Sequence, residues 1–209
     1  MKLTRIVYGL TALQESDIFA GGDPQKDWPI DLAFFLVEGK GRRILVDCGC
    51  DTMPGFVLSA FIGPVKALRN RGVSPEQITD VILTHRHHDH AAGLCHFPNA
   101  TVYIQQEEAP KCQKYLLPSQ KVVVFDRELT VAEGVKAVKI GGHTDGSCVV
   151  EVGNTVLCGD ECYSSYNLAH KLPTASCKNP KNSQAFIDRY AEGWTALLCH
   201  DPKPKECYL

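Results

Sequence analysis

Eight histidines are spread over 209 residues, and four of them fall in the single stretch Thr84-His85-Arg86-His87-His88-Asp89-His90-Ala91-Ala92-Gly93. His85, His87, Asp89 and His90 stand at a His-x-His-x-Asp-His spacing. Imidazole and carboxylate together are the donors that Zn²⁺, Mn²⁺ or Fe²⁺ accept. Alternate side chains of an extended segment face opposite ways. A tight turn that lets His85 and His87 converge therefore leaves Asp89 and His90 aimed at a second point nearby. Two adjacent metal positions are the expected outcome, and two ions about 3.5 to 4 Å apart can share a water whose pKa falls to near 7. A solvated polar loop is the alternative. Against it stands the apolar run Val81-Ile82-Leu83 directly upstream, since a buried strand running into a cluster is how a scaffold places ligands at its end.

The cluster belongs to a longer series of motifs. Residues 84–93, THRHHDHAAG, resemble the T-H-x-H-x-D-H-x-x-G signature of the metallo-β-lactamase superfamily. Leu45-Val46-Asp47-Cys48-Gly49 looks like that family's upstream L-V-D-T-G strand end, and residues 141–147, GGHTDGS, resemble its P-G-H-T-P-G-S segment. Gly159-Asp160 is similar to the G-D that follows a strand, and Cys199-His200-Asp201 to the late G-H segment. The segments occur in the family's order and cover essentially the whole chain.

That resemblance implies an α/β fold, a four-layered αββα sandwich of two mixed β-sheets flanked by helices. It also implies that His85, His87 and His143 hold one metal, that Asp89, His90 and His200 hold the other, and that the Asp160 carboxylate bridges them. Two divalent ions are the implied cofactors, zinc first, with iron or manganese as alternatives. Asp47 is expected to orient a ligand histidine and not to touch metal. His88, His96 and His170 read as exposed or hydrogen-bonded histidines outside the ligand set. Cys48 and Cys50 read as small residues lining a loop, because no second cysteine pair is spaced to complete a four-thiolate site. Gly141 and Asp145 replace prolines common in the family, and Cys48 and Cys158 stand where other small residues are frequent.

Superfamily membership fixes metal chemistry better than substrate, because members cleave β-lactams, thioesters, lactones and phosphodiesters, and a few carry out redox chemistry. Tyr163, three residues after Asp160, is similar to the tyrosine of the N-acyl-homoserine lactonase branch, and His200-Asp201 resembles that branch's ending. A phenol aimed at a developing oxyanion stabilises charge only as it appears; a packing tyrosine is the alternative reading. The expectation is a dinuclear metal-dependent hydrolase in which a hydroxide shared by the ions attacks an ester or lactone carbonyl. An acyl-homoserine-lactone-like small molecule is the favoured substrate, with Asp89 doubling as ligand and proton carrier to the departing alkoxide. A glyoxalase-II-like thioesterase, a nuclease or phosphodiesterase, and an iron-dependent oxygenase or redox protein are the alternatives. The first is demoted because the chain ends nine residues past His200, without the helical domain that enzyme uses for glutathione. The nuclease is opposed by a net charge of -2 and the lack of a Lys/Arg-rich arm.

The elements that must position these residues follow from composition and pattern. With 44% hydrophobic and 22% charged residues, the chain reads as one globular domain over residues 1–209, with no basic footprint for nucleic acid. Nothing in its first residues resembles an export signal and no apolar run suits a bilayer, so the expectation is a cytoplasmic protein, away from membranes, whose ten cysteines are mostly reduced thiols; its oligomeric state is open. Strands are expected over 2–8, 30–38 and 43–47, the last two joined by a turn at Gly39-Lys40-Gly41. Apolar residues fall at helical spacing over 56–71, split at Gly63-Pro64 into a short piece and a second helix that Gly72 stops. Val57, Leu58, Phe61 and Ile62 of that stretch form either an apolar lip over the site or a subunit contact. Ser74-Pro75-Glu76-Gln77 has the form of a capping box ahead of a strand over 79–83, which delivers the chain into His85. Further strands are expected over 101–104, 121–125, 135–140, 147–152, 155–158 and 195–199, and helices over 106–115 and 183–192.

Overall fold

The computed structural model describes residues 1–202. Its first sheet runs in chain order: β1 (Lys2–Gln14), β2 (Asp27–Gly39), β3 (Arg42–Val46), β4 (Asp80–Ile82), β5 (Thr101–Gln105) and β6 (Val122–Phe125). The first three are antiparallel and β3 to β6 are parallel. The second sheet has the order β11-β10-β9-β8-β7, built from β7 (Glu128–Ala132), β8 (Val135–Lys139), β9 (Cys148–Val152), β10 (Thr155–Leu157) and β11 (Thr195–Leu197). Here β7 to β10 are antiparallel and β11 joins β10 in parallel. Both sheets are thus mixed.

The layering is written in the period-two alternation of the strands. Along β2, Leu32, Phe34 and Leu36 enter a core shared with Leu68, Leu94 and Phe97 of the covering helices and turns. Their neighbours Phe35 and Val37 face the other way, into a core shared with Val135, Ala137, Val150 and Leu157 of the second sheet. In β4, Val81 and Ile82 divide in the same manner. A strand buried on both faces reads as a continuous apolar run, which is why residues 30–37 are so hydrophobic. The far face of the second sheet packs Val138, Val149 and Val156 against Phe186, Ile187 and Tyr190 of helix α6 (Pro180–Tyr190). The result is the expected four-layered αββα sandwich. No helix among the described residues is long and apolar enough to cross a membrane.

The other helices are short: α1 (Glu15–Ile18), α2 (Pro64–Arg69), α3 (His88–Ala91), α4 (Ala109–Cys112) and α5 (Ser165–His170). Several differ from expectation. Residues 56–63 are not helical: Ser59 exchanges both backbone hydrogen bonds with Leu10 at 2.9 Å, so β1 captures the segment as an extended bridge, and only the piece after Gly63 becomes a helix. The helix expected over 106–115 is reduced to α4 and a 3₁₀ turn, Gln113–Tyr115. Strand β7 and helix α5 have no counterpart in the expected elements, and β1 continues six residues beyond residue 8, to Gln14. The capping box is present, with the Ser74 amide donating to Gln77 Oε1 at 2.9 Å.

The turn bearing the histidines is seated on the end of β3. Cys48 N donates to His90 O at 2.8 Å and Gly93 N to Gly49 O at 2.7 Å. A Cβ on Gly93 would stand 2.3 Å from Cys48 O, backbone that has nowhere to move. Gly93→Ala should therefore cost about 1–3 kcal/mol by overpacking, measured by urea denaturation; unchanged stability would show that this seat is not tight.

Candidate metal centre

Four connections at one end of the sandwich carry the predicted residues. The β4–β5 connection carries His85, His87, Asp89 and His90, with α3 beginning inside the cluster. The β8–β9 loop carries His143, a 3₁₀ turn after β10 (Gly159–Glu161) carries Asp160, and the chain after β11 carries His200. Four of the seven donors thus come from the first sheet and three from the second. Gly159, at φ +51°, permits this close approach: a Cβ there would lie 2.8 Å from the Thr84 side chain.

Asp160 sits between two groups of imidazoles. Its Oδ2 lies 3.5 Å from His85 Nε2 and 3.3 Å from His143 Nε2. Its Oδ1 lies 3.0 Å from His90 Nε2 and 3.1 Å from His200 Nε2. His87 Nδ1 completes the first group 2.9 Å from His143 Nε2, and Asp89 Oδ2 joins the second at 3.4 Å from His90 Nε2 and 3.6 Å from His200 Nε2. The structure therefore brings all seven predicted side chains together, as three histidines and one carboxylate oxygen on one side, and two histidines and two carboxylates on the other.

Outward hydrogen bonds fix which nitrogen each ring presents inward. The Nδ1 atoms of His85, His90, His143 and His200 are held by Thr84 Oγ1 at 3.0 Å, Asp47 Oδ2 at 2.7 Å, Ser176 O at 2.7 Å and Asp31 O at 2.8 Å. With each Nδ1–H occupied, the Nε2 lone pairs converge, the arrangement that outer partners impose on metal-binding histidines. His85 Nε2 is buried with no hydrogen-bond partner at all, an uncompensated cost that a cation in this position removes. The residues fit the group: the donor atoms of His85, His87, His143 and Asp160 all lie within 4.8 Å of one another.

The protonation chemistry agrees. Burial, followed by the neighbouring His90, holds His85 well below the usual imidazole range, and burial with His143 lowers His87, so both are neutral donors. Burial also opposes charge on His90, but Asp160, Asp89 and Asp47 outweigh it and raise that ring's pKa well above its ordinary value. His200 is raised likewise, Cys199 and Asp160 overcoming burial. The second group thus holds protons through surplus negative charge, and a divalent cation would substitute for them.

Asp47, at φ +63°, accepts from Thr84 N at 2.8 Å and from Thr84 Oγ1 at 2.9 Å as well as facing His90. It thereby braces His90 directly and His85 through the threonine. Three further anchors carried no local signal. Buried Glu108 accepts from Arg86 N at 2.9 Å on Oε2, and from Thr144 Oγ1 and Gly146 N at 2.8 and 2.9 Å on Oε1, tying the first histidine turn to the His143 loop. Glu161 accepts from Gly142 N and His143 N at 3.1 and 3.3 Å, and burial pushes its carboxyl up to about 7. Arg5 pairs with Asp31 at 2.6 Å and donates to the carbonyls of Leu198, Cys199 and Asp201 at 2.8, 2.7 and 3.1 Å, clamping the chain around His200.

Tyr163 Oη donates to Asp160 Oδ2 at 3.1 Å, and burial, reinforced by Asp160, raises its pKa well above that of a free phenol, so it remains a donor. A cleft of about 260 Å³ opens onto Asp89, Asp160, Tyr163 and His200, walled by Leu13, Ile30, Met53, Pro54 and Phe56. Val57, Leu58, Phe61 and Ile62, for which the sequence allows an apolar lip or a subunit contact, do not line this cleft. With residues 56–62 irregular around the Ser59 bridge and the left-handed Ala60 (φ +47°), Val57 is 90% exposed and Phe61 packs on Tyr8 at 5.9 Å. His88 also borders the cleft but is bonded to Thr52 O at 2.8 Å. His96 bonds Asp51 at 2.7 Å and His170 bonds Tyr166 O at 3.0 Å. Cys48 and Cys50 are buried and stand in neither donor group.

Comparison with known proteins adds independent findings. Residues 33–164 match the family model described as the metallo-beta-lactamase superfamily. An N-acyl homoserine lactonase from a Bacillus species is 30% identical over 202 residues, covering 83% of this chain and 81% of the relative. An N-acyl homoserine lactone hydrolase solved with the product N-hexanoyl-L-homoserine at its catalytic metal centre superposes with a TM-score of 0.83 at 21% identity, over 96% of this chain and 93% of that one. AidC, a dizinc quorum-quenching lactonase in complex with a product, superposes at 0.78 and 21% identity, over 97% and 88% of the two chains.

Asp47→Asn keeps a residue that tolerates the left-handed backbone but removes the anionic acceptor behind His90. It should weaken divalent-ion affinity by about 10–100-fold in a calorimetric zinc titration, with the far-ultraviolet circular dichroism unchanged. Wild-type affinity would refute the orienting role.

Proposed function

This chain belongs to the metallo-β-lactamase superfamily, and from that premise we propose that it is a dinuclear metal-dependent hydrolase that opens lactones, N-acyl homoserine lactones foremost. The observation that carries the reading is the division of the Asp160 oxygens between two imidazole groups at the floor of an open cleft. His85, His87 and His143 would hold one ion and Asp89, His90 and His200 the other, with the Asp160 carboxylate available to both. Zinc is the first candidate, with iron or manganese as substitutes. Two bound divalent ions would supply Lewis acidity at the carbonyl and a water acidified toward neutrality.

The chain's own groups do the rest. The Tyr163 phenol, kept protonated beside Asp160, donates toward the oxygen on which negative charge develops; such a donor is worth most in a site closed to water. Asp89 borders the cleft and is held from behind by Tyr8 Oη, which donates to its carbonyl at 2.9 Å. From there its carboxylate carries a proton to the departing alkoxide. Leu13, Ile30, Met53, Pro54 and Phe56 offer an apolar wall for an acyl chain, and among the described residues the cleft lining contains no Lys or Arg. An uncharged acylated lactone suits this lining better than the carboxylates of glutathione or a phosphodiester, which a cationic wall would favour. We read the chain as a single domain, and the nine unpaired cysteines among the described residues support a reducing, cytoplasmic setting.

The test is a panel of lactones, thioesters and phosphodiesters assayed with zinc-loaded protein. Lactone opening should dominate, a strong chelator should abolish it, and added zinc should restore it. Phosphodiester cleavage without action on any lactone or ester overturns the reading. Tyr163→Phe should lower kcat by about 10²-fold with little change in bound metal. An unchanged kcat would return Tyr163 to a packing role.

A further inference from the structure

One member of the second donor group has no part in the ligand set above. Cys199 Sγ lies 3.8 Å from Asp160 Oδ1, and the donor atoms of His90, Asp160, Cys199 and His200 all lie within 4.8 Å of one another. With metal–sulfur bonds of about 2.3 Å and metal–nitrogen bonds of about 2.1 Å, donors on opposite sides of one ion stand roughly 4.4 Å apart, so the thiol is within a small adjustment of the same cation. Resting on the metal-centre reading above, we infer that Cys199 is a thiolate ligand of the ion held by His90, Asp160 and His200.

Three observations carry this. First, position separates Cys199 from the other buried cysteines. Seven of the nine described cysteines are buried, and among the described residues Cys199 alone of these joins a donor group. Second, the sulfur has no strong partner of its own: it meets Gly159 O at 3.5 Å and the Asp160 oxygen at 3.8 Å, both weak for a thiol, beside the His200 side chain with which it interacts. Its backbone is nevertheless pinned, with the Cys199 carbonyl accepting from Arg5 Nη2 at 2.7 Å. Third, Asp89 and Cys199 approach from different sides. Asp89 borders the cleft, whereas Cys199 belongs to the core between the two sheets. The thiol therefore adds a donor from the protein side without occupying the face open to substrate. On binding, the S–H bond breaks, sulfur keeps the electron pair and the proton leaves to bulk solvent. A soft donor here biases this position toward zinc and away from manganese or magnesium.

Cobalt(II) provides the readout, because thiolate coordination adds a near-ultraviolet sulfur-to-cobalt charge-transfer band to the visible ligand-field bands that any bound cobalt shows. Full-length wild-type protein loaded with cobalt should show both sets. Cys199→Ser should lose the near-ultraviolet band and retain the visible ones. Visible bands without the charge-transfer band in the wild type, or a band that survives in Cys199→Ser, overturns the inference while leaving the metal centre standing. Failure to bind cobalt at all overturns the metal-centre reading, and this inference with it. Should the variant not fold, X-ray absorption of the zinc-loaded wild type decides: a sulfur scatterer at about 2.3 Å supports the ligand, and a shell of nitrogen and oxygen alone refutes it.

Discussion

A single carboxylate, Asp160, sets the geometry of the centre. Its two oxygens reach imidazoles of two different groups within 3.5 Å, so the spacing between the groups is the span of one carboxyl. A group this buried is costly in its charged form unless neighbours compensate. Here His90, His200, His85 and His143 overcome burial and hold the Asp160 pKa well below its usual range. The charge and the rings need one another, and every other feature of the site serves to keep them at this distance.

The surrounding anchors follow one pattern. Three of the four ligand-bearing segments are fastened by a buried or half-buried charged group that touches their backbone and not only their imidazoles. Asp47 takes the Thr84 amide, Glu108 takes the amides of Arg86 and Gly146, Glu161 takes those of Gly142 and His143, and Arg5 donates to three carbonyls around His200. Charge-assisted hydrogen bonds of this kind are shorter and stronger than neutral ones. They allow irregular loops to present donors with the precision of a strand. Among the described residues the cleft wall of Leu13, Ile30, Met53, Pro54 and Phe56 carries no such charged clamp.

How much of this was legible in the sequence depended on contiguity. The cluster over residues 84–93 is one local motif, and β2 is buried on both faces, so its six-residue apolar run from Leu32 to Val37 admits little else. The sandwich architecture was implied by the resemblance of these motifs to those of the metallo-β-lactamase superfamily. Residues 56–62 misled because their apolar spacing suits a helix, whereas the Ser59 bridge to Leu10, invisible locally, and the left-handed backbone of Ala60 (φ +47°) keep them out of one. Helix α5 starts at the cap Ser164, whose side chain accepts from Tyr166 N, but carries little apolar periodicity to announce it. Strand β7 is an edge strand with three of its five residues only partly buried or exposed before Val131. Arg5 was the least legible of all, since its partner Leu198 lies 193 residues away; nothing near it in the chain hints at a role.

Because His85, His87, Asp89 and His90 issue from the first sheet and His143, Asp160 and His200 from the second, an ion held among them is also a fastener between the halves of the sandwich. Ligand that binds only the folded state adds to its stability in proportion to the logarithm of its free concentration. The lifetime of the folded chain in a cell would then track the supply of the cation: starvation would loosen the seam, expose the shared apolar core to proteases, and remove idle apoprotein from circulation.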